Sequence, residues 1–146
     1  MAESEQPTEQ PFFRRWLLSS FLGWLLGFVL IMAISVVWNM IGGTAQFMIG
    51  LGMGAGVGFM QGRVAIQWVG SVSAWTWATF LGLSAPFVLG DIGRALGLGI
   101  GYSLPIYMLI SGLLAGLLQR RLLSGRFEGA NWWVLASLLG GAFPRD

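Results

Sequence analysis

Between Trp16 and Trp38 the chain carries no charge and only three serines as polar side chains, and three further apolar stretches follow, each ended by a short polar or glycine-bearing interruption. At about 1.5 Å per residue the first run is long enough to cross a hydrocarbon core of roughly 30 Å. The pattern predicts helical spans over about 16–38, 45–61, 75–90 and 95–118, with a tight turn at Asn39 to Thr44 around Gly42 and Gly43. The third span is expected to close at Gly90 and Asp91. Residues Val64 to Ala74 are mostly apolar and are expected in the interface, Gln67 and Trp68 facing headgroups, whereas Leu122 to Trp132 reads as a polar loop. A last apolar segment, 132–143, rises only roughly 18 Å as a helix, too little to span.

The expected architecture is therefore all-α and integral to a membrane. It is a four-span helical bundle made of two parallel helical-hairpin repeats, plus a short C-terminal half-helix. Residues 1–13 read as a disordered acidic tail, with Glu3, Glu5 and Glu9 beside two prolines, and 14–146 as one transmembrane domain. The first apolar run exceeds the about 7 to 15 residues of a signal-peptide core, which favours an uncleaved anchor.

The repeat is legible in the letters. Gly54 to Pro86 and Gly112 to Pro144 align without a gap at an offset of 58, with nine identities that include Gln61/Gln119, Arg63/Arg121, Trp75/Trp133 and Pro86/Pro144. The end of the motif also occurs near the start, where Trp16, Ser20, Leu22 and Gly23 match Trp75, Thr79, Leu81 and Gly82, and then Trp133, Ser137, Leu139 and Gly140.

Composition narrows the chemistry. Apolar residues make up 55% of the 146 residues and charged ones 10%, which is outside the range of ordinary soluble domains. There is no Cys and no His, so thiol chemistry and the commonest metal, haem and general-base ligand are missing from the repertoire. No catalytic, cofactor-binding or metal-binding residues are expected, and the protein is expected not to be an enzyme. The arginines lie at membrane edges rather than on a wetted basic face, which speaks against nucleic acid. No charge falls in the middle of a predicted span, which speaks against an ion or proton route. If the first span starts in the cytoplasm, Arg14, Arg15, Arg63, Arg120, Arg121 and Arg126 share that side and Arg94 lies opposite, as the positive-inside rule requires. Asp91 and Arg94 have the spacing of a local i,i+3 pair.

Two sets of residues stand out. Gly50, Gly54 and Gly58, with Gly62, recur every four residues on one helix face, Gly52 and Gly56 on another, and Gly112 and Gly116 repeat the spacing. Such faces let helix backbones approach closely. Gly23/Gly27 and Gly97/Gly101 have the same spacing. The second set is Gln61, Arg63 and Trp75, with Gln119, Arg121 and Trp133, all expected at the cytoplasmic face. They read either as interfacial anchors or as contacts for a lipid headgroup or a partner. Pro105, placed inside the fourth span, is expected to kink it and free a carbonyl near Gly101.

The pattern G-x-x-x-G-x-x-Q followed by Arg (Gly54, Gly58, Gln61, Arg63; Gly112, Gly116, Gln119, Arg121), alternating with Trp-led W-x-x-A/S-S/T-x-L-G starts (Trp16, Ser20, Gly23, Trp24; Trp75, Gly82; Trp133, Gly140), resembles a loose family of uncharacterised small bacterial multi-span membrane proteins. That resemblance implies repeat and topology and no activity. The expected role is a structural, accessory or assembly subunit of a larger complex in a bacterial plasma or photosynthetic membrane. Its expected partners are the lipid bilayer, a protein or second copy met through the glycine faces and segment 132–143, and an anionic lipid. The alternative is a small oligomeric channel or transporter with glycine-lined helices.

Overall fold

The computed structural model of the chain describes residues 10–43, 45–98, 103–124 and Val134. These form four α-helices: α1 (Gln10–Met40), α2 (Phe47–Val69), α3 (Val72–Ala95) and α4 (Leu104–Leu123). Three of them, α1 over Arg14–Met40, α3 and α4, are long and apolar enough to cross a membrane. Helix α2 is comparable in length at 23 residues, but six glycines together with Gln61, Arg63 and Gln67 dilute its apolar character.

Contacts run down the chain in order. Helix α1 packs on α2, α2 on α3, and α3 on α4, while α2 barely meets α4. Among the described residues the helices therefore form a row rather than a closed bundle, with α1 at one edge. Each neighbour is antiparallel to the last, because the paired residues ascend on one helix as they descend on the next. Gly23 and Gly27 face Val57 and Met53, Gly54 and Gly58 face Phe80 and Thr76, and Gly82 and Gly90 face Ala115 and Tyr107.

Glycine sets the spacing of the row. A Cβ added to Gly50 would lie 2.7 Å from Ser84 Cα, and one on Gly54 2.8 Å from Phe80 Cα. On the opposite face of α2, Gly56 abuts the backbone of Gly23 and Gly27, and Gly52 meets Gly27 and Ile31. The same crossing recurs in the second hairpin. Gly23 touches Val57 in α1–α2, and the corresponding Gly82 touches the corresponding Ala115 in α3–α4.

Several element boundaries differ from the sequence expectation, each for a local reason. Helix α2 does not end near Gln61, and 64–74 is no interfacial loop. Nothing in Val64 to Val69 breaks a helix, so α2 continues until Gly70, whose φ of 74° and N–H bond to Ile66 O at 2.8 Å close it. Ser71 then caps α3 at once, its hydroxyl accepting from Ala74 N at 3.2 Å. At the other end α3 does not close at Gly90 and Asp91 but runs to Ala95. Gly97, at φ 70°, completes a left-handed stop with Gly97 N bonded to Arg94 O and Leu98 N to Gly93 O. Gly97 is thus a turn glycine and not part of a packing face.

The fourth helix begins at Leu104 rather than near residue 95, which puts Pro105 in its first turn. There the missing N–H has no helical partner to lose, so no kink arises and no carbonyl is freed. The proline inside a helix is Pro86 of α3. Its missing N–H leaves the carbonyl of Gly82 without its helical donor, and the next carbonyl, that of Leu83, accepts a bond from Ser111 Oγ of α4 at 3.1 Å. Residues 10–13, expected in the tail, are the first turn of α1, with Pro11 again tolerated near a helix start. The tail proper, 1–9, and the segment 132–143 apart from the helical Val134 lie outside the described residues.

Because a Cβ at Gly54 must displace backbone rather than a mobile side chain, Gly54→Ala is expected to destabilise the protein by about 1 to 3 kcal/mol. Ala33→Leu on the exposed flank of α1 should be near neutral. Reversible unfolding in mixed detergent measures both, and an unaffected Gly54→Ala would refute the close approach.

Candidate functional site

The polar side chains inside the row are shielded from water, so each bonds a group of its own helix or of a neighbouring one. Most of the bonds between helices lie in a layer near one end. In the first hairpin Gln61 Nε2 donates to Ser20 Oγ of α1 at 3.0 Å. In the second, Gln119 Nε2 donates to Thr79 Oγ1 of α3 at 2.8 Å, and Thr79 Oγ1 donates in turn to Trp75 O at 2.9 Å. Ser20 and Thr79 hold the same place in the Trp-led motif, four residues after Trp16 and Trp75. Each hairpin is thereby latched by the same pair of residue types. Ser19 adds a bond from its hydroxyl to Met60 O in the first hairpin, and Thr76 Oγ1 reaches Gly58 O at 3.2 Å between α2 and α3.

Beyond this layer, toward the helix ends, lies an apolar plug. Trp16, Ala65, Trp75 and Leu123 form one buried cluster with one residue from each helix, Val64, Trp68, Val69 and Leu122 packing around it. The Trp16 and Trp75 rings meet edge to face, centroids 5.8 Å apart at 86°. Ala65 and Leu123 are again related by the repeat offset.

These contacts redistribute the six residues singled out at the membrane edge. Trp75 is 1% exposed and Gln119 4% exposed, so both are held inside the chain and out of reach of a headgroup. Gln61 is half-buried and turned toward α1. Arg63 and Arg121 alone point outward, two residues after the glutamines and so roughly 200° around their helices. Trp133 lies outside the described residues. Gln67, expected to face headgroups, is exposed on the last turns of α2, whereas Trp68 leans into the plug. Of the glycines, Gly50, Gly54 and Gly58 face α3, and Gly116 is buried in α4.

The opposite end holds a contact that no local spacing announces. Asp91 pairs with Arg94 within α3. Its other oxygen accepts from Phe47 N of α2 at 2.6 Å. The residue before α2, Gln46, supplies no side-chain cap. A carboxylate from α3 thus caps one free N–H of α2 and meets the positive end of that helix dipole. Nearby, Phe87 and Tyr107 stack 5.3 Å apart at 22° against the flank of Gly90. Among the described residues no three His, Cys, Asp or Glu side chains gather.

No family model, curated protein or solved structure matches this chain. The resemblance carried by its glycine, glutamine and tryptophan motifs stands on those residues alone.

A double-mutant cycle on Gln119→Leu and Thr79→Val measures the latch. Coupling between such groups inside membrane proteins averages about 0.6 kcal/mol with a maximum near 1.7. The buried Gln119–Thr79 pair is expected above that average and the half-buried Gln61–Ser20 pair below it. The reverse order would mean that burial does not govern these bonds.

Proposed function

We propose that the protein is a non-enzymatic integral membrane subunit that packs or assembles within a larger membrane complex, in a bacterial plasma or photosynthetic membrane. In this reading all four helices cross. Helix α2, about 35 Å long and held antiparallel between α1 and α3, spans with them, and the N-terminus is cytoplasmic. The observation that carries the reading is the division of labour across the row. Several interior polar groups are bonded to neighbouring helices, while α1 packs along α2, reaches α3 through Trp16, and turns Leu18, Phe21, Leu25, Phe28, Val29 and Met32 outward. Such a helix offers a long apolar flank to lipid or to another subunit.

The channel alternative drew on glycine-lined helices and a kink at Pro105. The glycine faces of α2 are filled by the backbones of α1 and α3, and Pro105 sits in the first turn of α4. Neither feature supports a lumen.

Two experiments test the proposal. Single cysteines at Ser124 and Ile92, both exposed at opposite ends of the row, should react with an impermeant maleimide from the cytoplasmic and external sides respectively. Reaction from one side refutes the crossing pattern. Solubilisation in mild detergent should recover a stoichiometric protein partner, and a pure homo-oligomer that conducts ions after reconstitution would overturn the subunit reading.

A further inference from the structure

The two ends of the row differ in charge. Arg14 and Arg15 lie in the second turn of α1, Arg63 in the last turns of α2, and Arg120 and Arg121 in the last turn of α4, so the antiparallel order gathers all five toward one end, each exposed. Among the described residues none of the five forms an ion pair and no acidic side chain lies at that end. At the other end the described charges, Asp91 and Arg94, neutralise each other.

Arg63 and Arg121 are equivalent in the repeat, and each has an exposed apolar residue one helical turn deeper on its own face. Phe59 precedes Arg63 by four residues and is 46% exposed, and Leu117 precedes Arg121 by four and is 40% exposed. Residues i and i+4 lie on one side of a helix. Each arginine therefore stands at the head of an exposed apolar track that leads toward the middle of the row. Gln61 and Gln119 turn inward and take no part in this surface, while Gln67, exposed one turn beyond Arg63, adds a neutral donor beside the first arginine. A ligand matching this surface carries an anion at one end and hydrocarbon at the other. A planar guanidinium grips a phosphate through two parallel N–H bonds, and acyl chains cover the track below.

We infer that Arg63 and Arg121 each hold the phosphate of an anionic phospholipid whose acyl chains run along Phe59 and Leu117, giving two equivalent lipid positions per chain. The remaining arginines, Arg14, Arg15 and Arg120, raise the local positive potential that selects anionic over zwitterionic headgroups. The inference rests on the proposed membrane setting and not on the subunit role, so the two fail separately.

The test is native mass spectrometry of the full-length protein in mild detergent with added phosphatidylglycerol or phosphatidylcholine. Two phosphatidylglycerol molecules should be retained and phosphatidylcholine lost. Arg63→Gln and Arg121→Gln should each weaken one retained lipid roughly fivefold, the equivalent of about 1 kcal/mol per basic residue. Arg94→Gln, at the far end, should keep both. Phe59→Ser should weaken one lipid with every arginine in place. Equal retention of the two lipids, indifference to both arginine substitutions, or full displacement by millimolar inorganic phosphate with Phe59→Ser silent would overturn the inference. Maleimide labelling of the Ser124 and Ile92 cysteine forms in each variant separates lost lipid binding from lost insertion.

Discussion

Backbone contact on both sides of α2 is the constraint from which the rest of the molecule follows. Inside a bilayer, burying an apolar side chain against another gains little over leaving it in lipid, so helices hold together through close packing and hydrogen bonds. Helix α2 gives up side-chain bulk on two faces at once. Its glycines bring α1 and α3 so near that added Cβ atoms at Gly50, Gly54 and Gly56 would meet neighbouring backbone. Once helices lie that close, Thr76 on one can reach the carbonyl of Gly58 on the other, and Ser19 that of Met60. The hydrogen bonds are made possible by the glycines and then fix the rotation of each helix about its axis.

The equivalence of the hairpins extends from letters to contacts. Gln61 with Ser20 and Gln119 with Thr79 occupy matching places, as do Gly23 with Val57 and Gly82 with Ala115. Glutamine suits this position because it bonds a hydroxyl on the facing helix without bringing a charge into the membrane interior, where desolvation would cost several kcal/mol. The arginine two residues later then falls outside. One short stretch of each hairpin thus presents a neutral donor inward and a cation outward, and helical geometry alone separates them.

Much of this was legible beforehand and the exceptions are instructive. Apolar runs announced helices of membrane length because composition alone determines that property. Boundaries were harder. Val64 to Ala74, mostly apolar where its copy Leu122 to Trp132 is polar, reads as an interfacial stretch between spans, yet α2 continues through it and stops only where Gly70 permits a positive φ. Gly70 followed by Ser71 was a readable stop and cap. Pro105 reads as an interior proline only if the last helix starts near residue 95, whereas that helix begins at Leu104 and the interior proline is Pro86 of α3. Trp75 and Gln119 looked interfacial, since a tryptophan or glutamine near a span end gives no sign of which way it turns. The capping of Phe47 by Asp91 was out of reach, because it joins residues 44 apart through a helix pairing that the sequence does not state.

The junction at Gly70 and Ser71 has a mechanical meaning. One residue ends α2 and the next caps α3, so there is no slack through which either helix could slide along the membrane normal without dragging the other. Between α3 and α4 the chain has a longer connection, residues 96–103. The innermost pair, shared between the two hairpins, therefore behaves as a single stiff strut. The outer helices are joined to that strut by longer stretches of chain and take their place through side-chain and backbone contacts instead.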